Sequence, residues 1–484
     1  MSSQNPPAIV WFRHDMRLGD NPSLHRAAQS GRPILPVFIW SPEEEGEWPQ
    51  GAAKRWWTHH ALEKLAESLE NKGSRLIIRK GPALKVLRSL TKETGAQAVY
   101  WNRRWEPSII ARDSEVKKQL KADGLEVESF NGCLLKEPPE VQNKQGKPFQ
   151  VFTPMWKGAY DGWHPETPWP APRSMRPLVD WPKSDTLKDL KLLPTIPWDK
   201  TMGSTWKHGE NAALDLADRF GREAASGYLE GRNFPADFGT SRLSPYLASG
   251  EISPRQAWHA VLDSTGLKPG SKLPGGVEHF FKELGWREFA YHLMFHFPHT
   301  PSRPLREDYE RFPWKVDDKA LRAWQRGFTG YPMVDAGMRE LWSTGWMHNR
   351  VRMIAGSFLV KDLIQTWQNG ARWFWDTLVD ADLASNTLGW QWVGGCGADA
   401  APYFRVFNPV GQGEKFDPSG TYVRKHVPEL ANMPAEYIHR PWEAPPLVLA
   451  EAGVKLGKDY PMPTVQHDKA RAEALAALAT IRKV

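Results

Sequence analysis

The chain has 484 residues, of which 40% are hydrophobic and 25% are charged. These values exclude a globally disordered chain and predict two or three folded domains with a large core. The formal net charge of +7 is a mild basic excess, which is compatible with a phosphate-rich partner but does not identify one.

Cysteine content and hydropathy exclude further classes of protein. Only Cys133 and Cys396 are present, far apart in the sequence, so we expect neither a disulfide framework nor a cysteine metal cluster. The N-terminus lacks the segments of a secretory signal, and no run approaches the ~18 apolar residues that span a membrane. We therefore expect a cytoplasmic protein without a membrane partner. The 25 tryptophans suggest a stacking surface or an electron carrier besides core packing.

The first quarter of the chain alternates strand-like apolar runs with amphipathic helical patterns. This alternation predicts an α/β domain over residues 1–131, a doubly wound parallel sheet of Rossmann-like type. No GxGxxG follows the first run, so the usual dinucleotide-binding loop is missing. The predicted strands lie within 8–15, 32–40, 74–80 and 96–102, and the predicted helices are 54–73 and 108–124, the latter with Gly124 as its C-cap.

The remainder of the chain changes character twice. Residues 132–204 are rich in proline and polar residues and predict an interdomain connector laid over a surface. Residues 205–484 carry apolar residues at helical spacing and predict a mostly α-helical domain. Its predicted helices are 208–229, 254–264, 277–296, 333–344, 346–368, 371–379 and 468–483.

Two stretches of the second domain have polar patterns that are unusual for a core. In TSRLS, the hydroxyls of Thr240, Ser241 and Ser244 at a helix start suit a phosphate, although ordinary N-capping followed by a turn is the favoured explanation when this stretch is taken alone. In the helix 277–296, Glu283, Trp286 and Arg287 lie on one face, where a solvated Glu–Arg pair beside a half-buried tryptophan is the plain alternative.

Polar and aromatic residues also cluster in LVDADLASNTLGWQWVGG, residues 378–395. Asp380 and Asp382 precede Asn386, and no histidine or cysteine stands at ligand spacing, so we expect no bound metal. Ribose hydroxyls and ring N–H groups are the favoured partners of these acids. Trp390 and Trp392 then flank a single glutamine.

These motifs together resemble the photolyase/cryptochrome family. WFRHDMRLGDNPSL, VFTP, TSRLSPYLASG, ELGWREF, WMHNRVRM and DADLASNTLGWQW occur in the family's order and spacing. The likeness is greatest to bacterial DNA photolyases of class I or class III, which repair cyclobutane pyrimidine dimers. The resemblance implies an α/β antenna domain and a helical domain that binds FAD. It also implies a monomeric enzyme in which photo-excited reduced FAD passes an electron to a flipped-out dimer in DNA.

The resemblance assigns residues to the cofactor. Asn386 faces flavin N5, where an amide supplies a proton less readily than a carboxylic acid and so keeps the electron available for transfer. Arg352 pairs with Asp380. The implied FAD contacts are Tyr228, Thr240, Ser241, Arg242, Leu243, Ser244, Arg352, Asp380, Ala381, Asp382 and Asn386.

The resemblance also assigns residues to DNA and to electron transfer. Glu283 hydrogen-bonds the pyrimidine carbonyls, and burial in an apolar pocket would keep it protonated as a donor. The implied catalytic residues are Glu283, Asn349, Met353 and Asn386; the implied DNA contacts are Arg232, Trp286, Arg287, Asn349, Arg350, Trp392 and Arg405; the implied electron wire is Trp390, Trp367 and Trp314.

Three other functions are alternatives. A cryptochrome photoreceptor has the same fold, but plant-type members carry Asp at the position of Asn386. A (6-4) photoproduct photolyase carries two histidines where Asn349 and Met353 stand. A flavin-binding or nucleic-acid-binding module without activity would not need the complete catalytic set.

A second, light-harvesting chromophore is expected in the first domain. Some bacterial relatives hold folate with Asn and Glu, where this chain has Ser108 and Ile109. We therefore expect 5,10-methenyltetrahydrofolate in a different pose, with a deazaflavin or no second chromophore as alternatives.

Overall fold

The structure is a computed structural model that describes residues 5–268, 270–400 and 404–482. Among these residues, no helix is both long enough and apolar enough to cross a membrane.

Five parallel strands form one sheet in the order β3-β2-β1-β4-β5. The central strand pairs on both sides, with Ala8 opposite Ile34 and Ala98, and every residue of it is buried. Such burial on both faces is typical of a doubly wound sheet, and the predicted fold class is confirmed. The strands are β1 Ala8–Phe12, β2 Ile34–Trp40, β3 Ile77–Lys80, β4 Ala98–Asn102 and β5 Glu126–Phe130.

Twenty α-helices cover the sheet and build the second domain within the described residues. The helices are α1 Pro22–Gln29, α2 Ala52–Glu70, α3 Ala83–Thr94, α4 Pro107–Ala122, α5 Phe152–Ala159, α6 Lys200–Thr205, α7 Glu210–Glu223, α8 Tyr228–Gly231, α9 Ser244–Ser249, α10 Pro254–Ser264, α11 Gly275–His296, α12 Asp318–Arg326, α13 Pro332–Thr344, α14 Asn349–Ser357, α15 Trp367–Thr377, α16 Leu383–Gly394, α17 Pro409–Phe416, α18 Thr421–His426, α19 Pro446–Ala452 and α20 His467–Arg482.

Several predicted helix limits are wrong. The helix predicted over 346–368 is α14 followed by one π-helical turn, Phe358–Asp362, and Ile364 then has a φ of 53°, which breaks the helix. α4 ends on Asp123 as its C-cap, and Gly124 follows with a φ of 86°. The segment 208–229 is two helices, and residue 483 lies outside the described residues.

The connector is more than a surface strap. It contains α5, whose Phe152, Met155 and Trp156 are buried. The ring of Phe152 stacks on Trp286 with centroids 4.0 Å apart and planes 11° apart. The sequence pattern missed this helix because the proline-rich segments on both sides dominate the composition. The predicted domain limits themselves stay a prediction.

A buried polar seam joins the two domains. Glu251 accepts hydrogen bonds from the Trp57 indole at 2.5 Å and from the Gly209 amide at 2.6 Å. Nearby, the Lys54 ammonium donates to the Ser249 hydroxyl at 2.8 Å. Burial raises the pKa of Glu251 to about 7 and lowers the pKa of Lys54 to about 8. The seam therefore fixes α2 of the first domain against α9 of the second.

A substitution at Gly250 tests this seam, because the backbone of the first domain comes so close to Gly250 that a side chain has no room. Its φ is 69°, and an added Cβ would clash with the backbone of His14. We expect Gly250→Ala to lower the free energy of unfolding by about 3 kcal/mol, from backbone strain plus overpacking. Gly453, with a φ of 72° and open space around it, is the matched control, and its Ala variant should lose only about 1 kcal/mol. Denaturant unfolding of both variants makes the comparison; equal losses would mean that the close approach is relieved without cost.

Candidate active site

A cavity of about 750 Å³ opens in the helical domain, a volume typical of a cofactor or ligand site. Most of the predicted site residues line it: Arg232, Ser244, Glu283, Trp286, Arg287, Asn349, Arg350, Arg352, Met353, Asp380, Ala381, Asp382, Asn386, Trp390 and Trp392. The predicted residues that do not line it are Tyr228, Thr240, Ser241, Arg242, Leu243, Trp314, Trp367 and Arg405.

Asp380 is a buried acid with one satisfied and one unsatisfied oxygen. Its Oδ2 accepts from Arg352 at 2.7 Å and from the Ser244 hydroxyl at 2.6 Å. Its Oδ1 is buried and has no hydrogen-bond partner among the described residues. A buried acceptor without a donor is energetically costly unless a ligand satisfies it. Asp380 Oδ1 therefore fits a cofactor that offers an N–H or O–H group.

Asp382 sets the start of α16. It is the N-cap of this helix and accepts from the Ser385 amide at 2.8 Å. The Tyr291 hydroxyl also donates to it, and burial raises the pKa of Tyr291 well above its ordinary value, so the phenol stays a donor. One turn further, the Asn386 amide donates to the Ala371 carbonyl at 3.0 Å. The cap and this hydrogen bond together orient Asn386 in the cavity wall.

The surroundings of Glu283 differ from the apolar pocket expected. Its carboxylate forms an ion pair with Arg232, and His279 Nε2 lies 3.5 Å away. The Glu283 side chain is also 29% exposed. In this state the acid is held by a guanidinium and lines the cavity.

Trp286 and Arg287 occupy different places on α11. Trp286 lines the cavity and is backed by the Phe152 ring. Arg287 donates to the Cys133 carbonyl at 2.7 Å and lies 4.8 Å from the Tyr291 ring centroid. With 11% of its side chain exposed, Arg287 is built into the wall. Arg287 also lines the cavity, and its expected contact with DNA stays a prediction.

Arg232 and Arg350 line the cavity, and the charge of Arg405 acts on Arg350 from outside the lining. We call these three arginines the basic rim. Burial lowers the pKa of Arg350, and the nearby charges of Arg232 and Arg405 lower it further. The Arg350 guanidinium donates to Asn233 and lies 4.4 Å from the Phe416 ring centroid. Its Nε is buried without a partner among the described residues. Like charges held this close favour an anionic partner.

The predicted phosphate turn has an unusual backbone. Arg242 has a φ of 53°, which is uncommon for a residue with a side chain and often marks a functional loop. Its guanidinium lies 4.7 Å from the Trp346 ring centroid, and the Ser241 hydroxyl accepts from the Leu243 amide at 3.4 Å. The turn delivers Ser244 to the cavity, whereas the preceding residues lie outside its lining.

The three tryptophans of the predicted wire lie in or against one core. Trp390 is 3% exposed and Trp367 is 1% exposed, and Trp314 packs partly buried against the same cluster. An added Cβ at Gly370 would clash with the Trp390 ring. The rings in contact with Trp390 are Phe374 at 4.9 Å and Trp324 at 6.1 Å. Trp324 is a neighbour that the sequence did not identify.

Other residues of the site were also missed by sequence reasoning. His279 stands one helical turn before Glu283, so the spacing contained a signal. Asn233 and Tyr291 contact site residues from distant parts of the chain, and no sequence pattern marks them.

Two family profiles match the chain. The profile described as DNA photolyase matches residues 8–173, and the profile described as the FAD binding domain of DNA photolyase matches residues 280–480.

Individual proteins are similar over the whole length. A deoxyribodipyrimidine photo-lyase of Agrobacterium fabrum is 50% identical, with 100% of both chains covered. Cryptochrome-1 of Arabidopsis thaliana is 39% identical over 97% of this chain and 70% of its own. The crystal structure of a bacterial class III photolyase from Agrobacterium tumefaciens has a TM-score of 0.95 at 49% identity, covering 100% of this chain and 99% of that one.

Proposed function

The chain belongs to the DNA photolyase family, and we propose that it uses light to split cyclobutane pyrimidine dimers in DNA. The observation that carries the proposal is one cavity that joins a buried acid, indole walls and a basic rim. The acids suit the cofactor, the indoles suit extruded bases, and the arginines suit the DNA backbone.

The part of the cavity around Asp380, Asp382 and Asn386 fits FAD. Asp380 offers its unsatisfied Oδ1, and Arg352 and Ser244 hold the other oxygen in place. Asp382 and Asn386 are oriented by the start of α16. Bound FAD supplies the light-excited electron for bond cleavage. These residues of the chain would bind this group, and Asn386 places an amide instead of an acid in the cavity wall.

The part of the cavity around Trp286 and Trp392 fits an extruded dimer. Base extrusion costs a few kcal/mol in enzymes that act on flipped bases, photolyases among them. Stacking on an aromatic side chain returns about 1–3 kcal/mol per base. Trp286 and Trp392 both line the cavity, so two indole walls roughly offset the extrusion. Trp286 is preformed for this task because Phe152 supports its other face.

DNA binding explains the placement of Glu283. A phosphate that engages Arg232 competes with the Arg232–Glu283 ion pair. The released carboxyl, on the same helix face as Trp286, then turns to the pyrimidine carbonyls. Proton uptake by this carboxyl is part of the proposal, because only the neutral acid donates a hydrogen bond.

Cryptochrome-type signalling is the second candidate, because a cryptochrome is 39% identical. Asn386 favours repair, since plant-type cryptochromes have an acid there. The residues Asn349 and Met353, which both line the cavity, disfavour a (6-4) photolyase, since neither provides acid–base chemistry.

A second chromophore belongs to the same proposal. We expect 5,10-methenyltetrahydrofolate, held differently from relatives that use Asn and Glu, because Ile109 is 1% exposed and apolar. Neighbouring Ser108 is half-buried and too short to replace a carboxylate. The absorption spectrum of purified protein identifies the chromophore.

A monomeric state and a cytoplasmic location stay predictions.

Lesion choice tests the proposed function directly. We expect blue light to restore DNA that contains cyclobutane dimers and to leave (6-4) products unrepaired, because Asn349 and Met353 replace the acid–base pair. The measurement is product analysis of oligonucleotides with one defined lesion, using protein with reduced FAD. Absence of dimer splitting would refute the proposal, and repair of both lesions would refute the roles of Asn349 and Met353.

Backbone and lesion contacts should separate in two variants. Arg350→Ala should weaken binding of damaged and undamaged DNA equally and flatten the salt dependence, because phosphate contacts release counterions. Trp286→Ala should lose mainly the preference for damaged DNA, because stacking acts only on the extruded bases. Equilibrium binding at several salt concentrations measures both effects. Identical behaviour of the two variants would contradict the division into rim and wall.

The two tryptophans of α16 should also separate. Trp390→Phe should abolish photoreduction of oxidised FAD, because phenylalanine is much harder to oxidise, and should retain dimer repair once FAD is reduced chemically. Trp392→Ala should retain photoreduction and weaken binding of the dimer. Flavin absorbance under illumination and a repair assay measure both activities. Normal photoreduction by Trp390→Phe would show that another route exists, for which neighbouring Trp324 is the first residue to replace.

A further inference from the structure

Three metal-binding side chains converge on α2, outside the cavity. His59, His60 and Glu63 lie on one turn of this helix, and one ligand atom of each is within 4.8 Å of the other two. His60 Nδ1 is 2.8 Å from Glu63 Oε2, and His59 Nε2 is 3.5 Å from Glu63 Oε1. None of the three takes part in the proposed repair chemistry.

These separations are close to those of a zinc site. Zinc bonds of about 2.0–2.1 Å in a tetrahedral arrangement place neighbouring ligand atoms roughly 3.3 Å apart. The two measured nitrogen–oxygen distances lie on either side of this value. The two distances run to different oxygens of the carboxylate, so rotation of the Glu63 side chain would be needed to bring two imidazole nitrogens and one carboxylate oxygen around a single ion.

The packing around the histidines suits a metal site. The His60 ring is fixed by Trp56 at 4.8 Å and by His208 at 4.9 Å between centroids. Such packing limits ring rotation before an ion arrives, so part of the ordering cost is already met by the fold.

The surroundings also give access from solvent. The His59 side chain is 8% exposed, whereas His60 is 29% and Glu63 is 44% exposed. The carboxylate side is therefore open, and water could complete the coordination of an ion bound there. Ordinary histidine–glutamate pairs on a helix explain either contact alone, but they do not require both imidazoles to meet the same carboxylate.

We propose that His59, His60 and Glu63 form a binding site for one divalent transition-metal ion of the zinc type. Nitrogen ligands favour this class over magnesium or calcium, which prefer oxygen. The site is independent of the proposed repair activity.

The test is a calorimetric titration of untagged, full-length protein with bound FAD, after chelation and dialysis. Zn²⁺ should bind the native protein at one saturable site, whereas Mg²⁺ should give no binding. His60→Gln and Glu63→Gln should each abolish this saturable site. Glu67→Gln is the matched control, because Glu67 lies one turn further on α2 and pairs with Lys64; it should bind like the native protein.

Thermal unfolding provides a second measurement. Zn²⁺ should raise the Tm of the native protein and of Glu67→Gln, because an ion that binds only the folded state stabilises it, and should leave Glu63→Gln unchanged. The half-exposed position of Glu63 keeps this variant folded if His60→Gln is not. No saturable Zn²⁺ binding by the native protein, or full binding by Glu63→Gln, would overturn the proposal. The dimer-repair assay on the same samples reports separately on the proposed function.

Discussion

The hydrogen-bonded ion pair at Asp380 holds the active site together. Arg352 comes from α14, Ser244 from the first residue of α9, and Asp380 from the turn before α16, and all three meet at one carboxylate oxygen. Hydrogen bonds to a charged group contribute about 1.5–3 kcal/mol each, and a buried acid left unpaired is strongly destabilising. The three segments are therefore fixed relative to one another. The second oxygen of Asp380 is left for the cofactor.

The walls of the cavity depend on parts of the chain that sequence order keeps far apart. The connector places Phe152 behind Trp286 and also provides the Cys133 carbonyl that holds Arg287. The polar seam around Glu251 fixes the first domain where these contacts can form. The connector between the two domains thus contributes to the shape of the active site. A rigid wall requires little reorganisation when a ligand enters.

The arginines of the rim lower the stability of the free protein but favour binding of a polyanion. Burial lowers the pKa of Arg350, and repulsion by the nearby charges of Arg232 and Arg405 lowers it further. Clustered like charges destabilise the free protein, but they attract a polyanion and steer its approach. Glu283 relieves part of this repulsion by pairing with Arg232. In the proposed function, DNA takes over that neutralising role and leaves the acid for the lesion.

The sequence by itself determined the fold class and most of the residues that line the cavity. The alternation of apolar runs predicted the parallel sheet, because strands buried on both faces need continuous apolar segments. The motifs from TSRLS to DADLASNTLGWQW identified the family and therefore Asp380, Asn386, Trp286 and Trp392. Each of these motifs lies within one short segment, so it can be recognised in the sequence without knowledge of the tertiary contacts between segments.

Only the tertiary structure decided the partners of these residues. It showed that Glu283 pairs with Arg232, that Arg287 is built into the wall, and that Trp324 is in contact with Trp390. It also showed that α5 buries one face, although the composition around it resembles a surface connector. The physical reason is the same in each case: charge pairing, stacking and burial depend on distances between segments remote in sequence, and the pattern of one segment contains no information about those distances.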